Sequence, residues 1–452
     1  MATPIHTTPS VAIIGGGLAG CECAHALASR GVRVTLFEMR PHTATPAHTG
    51  ADLAELVCSN SFRSNAPDSA IGRLKAEMRQ LGSLVMQVAQ DVQVPAGKAL
   101  AVDRLLFAKA VTSRITTLPG LALVRQEITS LDTDSGPLAG FDAVVLAAGP
   151  LASEAIAASL QAKTGQGHLY FYDAIAPVVD GASVNMDTAF WGGRYEPESP
   201  DYLNCPLSRD EYFAFYEALL AGKKAHARDF EQEKHFEGCM PIEALAARGE
   251  RTLVFGPMKP VGFTDPRTGK RPFALLQLRA ENANKTMFNL VGCQTKLLYE
   301  EQARIFRMVP GLEAVEFVRF GSMHRNTFVN APVALAPDLS LVAAPHIFLA
   351  GQISGVEGYV ESAACGLWLG LLLAARFRGV HLAAPPVETA LGALLQHLKT
   401  PAKHFQPSNV QYGLMPELGE KAKKANRKVL YSQRAEGAFA GWQEEIAGKM
   451  AE

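Results

Sequence analysis

A glycine turn set between a strand and a helix constrains this chain more than any other feature. "SVAIIGGG" is an apolar strand running into glycines, Leu18 to Arg30 reads as a helix ending at Gly31, and "VRVTLFE" reads as a second strand. Gly15, Gly17 and Gly20 make a GxGxxG across the junction. The first glycine permits a tight turn, the second a close approach of backbone to a pyrophosphate, and the third close packing of helix on strand. The pyrophosphate then meets the amides of the helix N-terminus. Glu38 ends the second strand 18 residues after Gly20, where a carboxylate accepts ribose hydroxyls. The spacing predicts a dinucleotide-binding α/β unit.

Two later stretches choose between dinucleotides. "LAAGP" around Gly149 and "FLAGQISGVEGYVESAACG" around Gly351 look like the second and third anchor turns of glutathione-reductase-like FAD proteins. A single Rossmann unit for NAD has no use for the third turn, so the tightly held cofactor is expected to be FAD.

A chain of 452 residues is long for one core, which points to two domains, one inserted in the other. Between about Leu169 and Phe320 aromatics, glycines and prolines become frequent and strands look short, while Pro345 to Gly366 restores strand, glycine turn and helix. The expected architecture is therefore α/β: a glutathione-reductase-like Rossmann FAD-binding domain with an inserted α+β domain. Residues 1–168 and 321–452 form the FAD-binding domain, the latter closing in C-terminal helices, and residues 169–320 form the insertion. The sequence predicts a loop from Met39 to Pro67, a helix from Ser69 to Leu81, and a helix capped by Asp103. The apolar run Leu367 to Ala375 is about half a membrane span and reads as a buried helix. No basic n-region precedes an apolar stretch at the N-terminus, so a cytoplasmic protein without a signal peptide or membrane partner is expected.

Seven cysteines without framework spacing read as reduced thiols, and no CxxC or Cys/His cluster suggests a metal. Cys58 differs from the rest because it stands on a polar loop, "AELVCSNSFRSN", where Arg63 is placed to lower its pKa. Cys21, Cys23, Cys205, Cys293 and Cys365 read as core. With 43 basic and 44 acidic residues the net charge is −1, so no global field points to nucleic acid. Cations are nevertheless concentrated in "KAKKANRK", which is either a solvated helix face or a polyanion contact. Lys259, Arg267, Lys270 and Arg271 divide evenly between isolated surface cations and an RNA-facing loop.

Further stretches carry a closer likeness. "VAIIGGGLAGCECAHALASRGVRVTLFEMRP", "ELVCSNSFRSN", "LAAGPLAS", "HFEGCMPIE", "GPMKPVG", "NLVGCQTKL", "GSMHRNTFVNAP" and "LAGQISGVEGYVES" resemble the folate- and FAD-dependent tRNA (uracil-5-)-methyltransferases, the TrmFO family. The likeness touches both expected domains and most of the chain. It implies methylation of C5 of the T-loop uridine of tRNA to give ribothymidine. The carbon comes from 5,10-methylenetetrahydrofolate, and NADPH or NADH reduces the flavin. Cofactor contacts are expected from Gly15, Gly16, Gly17, Leu18, Ala19, Gly20, Glu38, Arg40, Asn60, Gly149, Gly351, Gln352, Gly358 and Tyr359. His324 and Arg325 are candidates for folate, with Asn326 beside them. Lys421, Lys423, Lys424, Arg427 and Lys428 are candidates for tRNA.

The chemistry explains why two cysteines fall in these motifs. C5 of uracil is a poor nucleophile, and a thiolate adding to C6 turns it into an enolate carbon. By resemblance Cys239, in "EGCMP", attacks C6. Cys58 is the thiol beside the flavin, acting as acid/base or holding a flavin–methylene adduct. The opposite division of roles between the two thiols stays open. A small-metabolite FAD oxidoreductase leaves both cysteine motifs idle, and the related wobble-uridine-modifying flavoprotein carries a C-terminal extension that this chain lacks. A non-catalytic, flavin-stabilised tRNA-binding protein is the third rival.

Overall fold

The computed structural model describes residues 8–45, 47–165, 169–225, 240–419 and 426–451. Two sheets, each with its own apolar core, organise them. The first has the spatial order Ser340–Leu341, Ala344–Leu349, Ala143–Leu146, Ser10–Ile14, Arg33–Glu38, Leu121–Arg125. All neighbours are parallel except the Ser340–Leu341 edge. Val11, Ala12, Ile13, Val144 and Val145 have no exposed surface, as continuous apolar runs in a sheet covered on both faces require. The first strand lies between Arg33–Glu38 and Ala143–Leu146, so chain order reverses there. The carboxyl end of such a switch point is where doubly wound sheets bind ligands.

Two helices pack unusually closely on this sheet. A side chain at Gly366, in helix Tyr359–Phe377, would put its Cβ 2.1 Å from the Ala19 carbonyl oxygen of helix Leu18–Ala28, and one at Gly370 would put it 2.7 Å from Ala26 Cβ. Small residues at four-residue spacing thus let the backbones approach. Tyr359–Phe377 is long and apolar enough to cross a membrane by composition, yet most of it is buried in the protein, in line with the buried-helix expectation.

The second sheet is antiparallel, in the order Phe190–Trp191, Leu203–Leu207, Ala274–Ala280, Met287–Leu290, Val178–Asp180, Phe317–Arg319. Helices Arg209–Ala221 and Tyr299–Phe306 supply Tyr212, Phe215, Ile305 and Phe306 to its core. The first of them starts at a reciprocal cap between Ser208 and Glu211. Strands Leu169–Ala174 and Met323–Phe328 pair with each other as the chain enters and leaves this region.

Asp103 accepts from the Leu105 and Leu106 amides at 3.1 Å, so the predicted cap forms, and Ser69, at the expected helix start, accepts from the Gly72 amide at 3.0 Å. The expected loop from Met39 to Pro67 is interrupted. Ser61–Ser64 pairs with Ala99–Val102 in a small three-stranded sheet. Four polar-alternating residues carry too little apolar pattern to announce a strand.

Candidate functional site

The carboxyl ends of the parallel strands open onto a cavity of about 430 Å³, walled by all three glycine turns and by the Cys58 loop. At one end Gly15 has φ +107°, in the region that favours glycine, and its amide donates to the Phe37 carbonyl at 2.8 Å. A Cβ at Gly20 would lie 1.9 Å from the Gly15 oxygen, so the third glycine is the packing glycine of the motif. A Cβ at Gly17 would meet nothing within 4 Å. That open space lies over the N-terminus of an 11-residue helix.

Glu38 fixes this end. One carboxylate oxygen accepts from the Gly16 amide at 3.0 Å, and the other from the Arg40 amide at 2.9 Å and Arg40 Nε at 3.0 Å. Burial pushes the Glu38 pKa up, but these Arg40 and Gly16 bonds outweigh it and hold the carboxyl below its ordinary value. Arg40 spans to a second carboxylate, with Nη1 2.9 Å from Glu55 Oε2. Gly16, Leu18, Ala19, Gly149, Gly351, Gln352 and Gly358 all line the cavity wall. An open cradle at Gly17, a helix N-terminus and a pre-set acid fit a dinucleotide.

The other end is built around Cys58, the only cysteine among the described residues on this wall. Its Sγ lies 2.9 Å from Tyr359 Oη. The same oxygen accepts the Cys58 amide at 2.8 Å and the Ser59 amide at 3.3 Å. With two N–H groups on its lone pairs, the phenol's hydrogen is left to point at sulfur. Burial, and then the neighbouring Cys58, hold the Tyr359 pKa well above its ordinary value, so the phenol keeps that proton. Cys21, Cys23, Cys205, Cys293 and Cys365 are buried, and burial pushes their thiols up, as core residues.

Four expectations need correction or restriction. Arg63 does not serve Cys58: it is ion-paired with Glu361, which is fully buried. The guanidiniums at the Cys58 loop belong to Arg104, Arg279 and Arg319. Asn60 is not among the residues that line the cavity. It is fully buried, its amide nitrogen bridges the Val102 and Ala280 carbonyls at 2.9 Å each, and its oxygen accepts from Arg279 Nε at 2.9 Å. It ties the small three-stranded sheet to the antiparallel sheet. Cys239, Lys421, Lys423 and Lys424 lie outside the described residues, whereas Arg427 and Lys428 are exposed at the start of helix Arg427–Ala451. His324 and Arg325 sit opposite Asp173 and Tyr172 in the connecting ladder, and the structure describes their backbone only. Asn326 reaches the cavity, nearly buried and with its Nδ2 unpaired, so it offers a donor to whatever binds there.

Fold and site define a FAD-binding flavoprotein. The solved form II structure of Aquifex aeolicus GidA superposes with a TM-score of 0.68 over 97% of this chain and 74% of that one, at 17% identity. At that identity the likeness speaks to fold alone. Residues 10–381 match the family described as Glucose inhibited division protein A. Sequence narrows the class. The methylenetetrahydrofolate–tRNA-(uracil-5-)-methyltransferase TrmFO of Oleidesulfovibrio alaskensis is 65% identical over 96% of this chain and 97% of its own length. The protein of the same name from Geobacter sulfurreducens is 55% identical over 96% and 99%. The chain belongs to the TrmFO family.

Proposed function

We propose that this protein methylates C5 of the T-loop uridine of tRNA, taking the carbon from 5,10-methylenetetrahydrofolate, and that it works in the cytoplasm. FAD held along the three glycine turns supplies the hydride that turns methylene into methyl, with NADPH or NADH as the ultimate reductant. The observation that carries the reading is a part-exposed thiol on the wall of the dinucleotide cavity, in a chain with full-length TrmFO relatives.

The Cys239 thiolate adds to uracil C6, which places the electron pair on C5 for attack on the methylene carbon. A base takes the C5 proton, tetrahydrofolate leaves from that carbon, and once hydride has converted methylene to methyl the C5–C6 double bond re-forms and expels the Cys239 thiolate. Cys58 and Tyr359 hold and move a proton at the cavity wall, since the phenol hydrogen already points at Sγ. Glu38 and Arg40 keep the glycine turn in shape for the dinucleotide. Lys421, Lys423, Lys424, Arg427 and Lys428 contact tRNA phosphates.

Mass analysis of tRNA nucleosides tests this. Incubation with the protein, methylenetetrahydrofolate and reduced nicotinamide should yield 5-methyluridine, and omitting either small molecule should abolish it. Flavin reduction without a methylated nucleoside would favour a small-metabolite oxidoreductase.

A further inference from the structure

The wall behind Cys58 carries more positive charge than any partner in it neutralises. Arg319 Nη1 donates to the Val57 carbonyl at 3.0 Å, and Arg104 Nη1 approaches the same oxygen at 3.5 Å. Arg279 Nη2 donates to Ser59 Oγ at 2.8 Å. The residues immediately before and after Cys58 are thus gripped by three guanidiniums. These come from three elements: helix Arg104–Thr116, strand Ala274–Ala280 and strand Phe317–Arg319. Among the described residues one carboxylate answers them. Glu281 Oε2 lies 2.8 Å from Arg104 Nε, and Glu281 is nearly buried. Among the described residues three positive charges against one leave two in excess, and Arg104 Nη2 with Arg319 Nε and Nη2 are buried with no hydrogen-bond partner among them. An uncompensated buried charge is costly, so an anion in the middle of this cluster is favoured.

We propose that Arg104, Arg279 and Arg319 are positioning residues that hold Cys58 as a thiolate near neutral pH, with Glu281 limiting the size of their effect. Every other titratable neighbour leaves that role to them. Tyr359 faces Sγ from helix Tyr359–Phe377 with its proton in place and so acts as a neutral donor. Arg63 is already paired with Glu361. Tyr202 acts on Arg279. Burial is the largest influence on each of the three arginines and disfavours its charge, while Glu281 and Cys58 are among the groups that restore it in all three. Such coupling is mutual. A thiolate that stabilises guanidinium charge is itself stabilised by it.

The inference rests on Cys58 being a reacting thiol, but it fails separately from the proposed function: 5-methyluridine can form with an ordinary thiol, and a low-pKa thiol can exist without methylation. The test is the pH dependence of Cys58 alkylation by iodoacetamide in the protein as purified, read by mass spectrometry of its peptide. The thiolate displaces iodide, so the midpoint of the profile reports thiol ionisation. The rate at a single pH does not, because nucleophilicity falls with pKa. The midpoint should lie below the ordinary thiol value of about 8.5. Arg319→Gln and Arg104→Gln should each raise it by roughly one unit, and Arg319→Lys should restore most of the shift. Glu281→Gln should move it the opposite way, which loss of packing alone would not do. If an arginine variant fails to fold, Arg319→Lys and Glu281→Gln still decide the matter. A wild-type midpoint at or above about 8.5, or a Glu281→Gln midpoint that stays put or rises, overturns the proposal.

Discussion

The two ends of the cavity are built in different ways. At the dinucleotide end the first glycine turn and its acid lie within one strand–turn–helix–strand unit, from Gly15 to Arg40, and Glu38 reaches back to the Gly16 amide across 22 residues. At the thiol end Cys58 meets Tyr359 across 301 positions, and Asn60 meets Arg279 across 219. That first turn comes from local steric rules, with the turns at Gly149 and Gly351 completing the wall. The second exists only once both sheets have formed and docked. On the proposed reading a local motif starts the cofactor cradle, and long-range tertiary contacts set the reactivity of the thiol.

The comparison breaks most sharply at Gly17. Gly17→Val would fill the open space over the helix N-terminus, so bound FAD, read from visible absorbance of the purified protein, should fall to a trace while the thiol end stays intact. A yellow variant would show that the local motif does not hold the cofactor. Cys58→Ala should do the reverse: FAD content stays near wild type, and methylation falls by orders of magnitude. Neutralising Lys421, Lys423, Lys424, Arg427 and Lys428 together should touch neither end. It should flatten the slope of log affinity for tRNA against log salt by about one unit for each phosphate no longer bound. An unchanged slope would return that segment to a solvated face.

Smaller effects sharpen the contrast. Tyr359→Phe leaves the Cys58 and Ser59 amides without their acceptor, which should cost roughly 1–3 kcal/mol in denaturant unfolding. Lys75 gives the thiol end a pH signature. It is fully buried, and its amine donates to the Arg63 and Ser64 carbonyls at 3.0 and 2.8 Å. Burial, helped by Arg79 and Arg63, lowers its pKa to about 7. Because the folded value is depressed, the unfolded chain binds more protons between about pH 7 and the ordinary lysine value of about 10.4. Its contribution to stability therefore rises with pH across that window and is lost as pH falls through about 7. Lys75→Met should flatten the unfolding midpoint over that range, and an unaltered profile would show that Lys75 is charged in the folded protein.

Sequence legibility follows the same division. The strand, turn and helix around Gly15, the helix start at Ser69, the cap at Asp103, and the buried helix through Leu367 were all readable, because each depends on neighbours a few residues away. The chemistry of Cys58 was readable only as a thiol in polar company. The guanidiniums near it were not, because "LLQLRAEN" and "EFVRFG" give Arg279 and Arg319 no local mark, and Arg63 was the only cation in view. Asn60 looked like a cavity residue for the same reason. Its three partners, Val102, Ala280 and Arg279, are contributed by segments that pairing and docking bring behind it.

The central claim is that both ends serve one reaction on tRNA, and following the donor carbon tests it most directly. Wild-type protein would be incubated with unmodified tRNA, reduced nicotinamide and 5,10-methylenetetrahydrofolate labelled in its methylene carbon, and the digested RNA analysed by mass spectrometry. The account predicts label in the methyl group of a single uridine in the T-loop fragment, absent with Gly17→Val and with Cys58→Ala. Label elsewhere in the tRNA, no labelled uridine at all, or full labelling by either variant would contradict it.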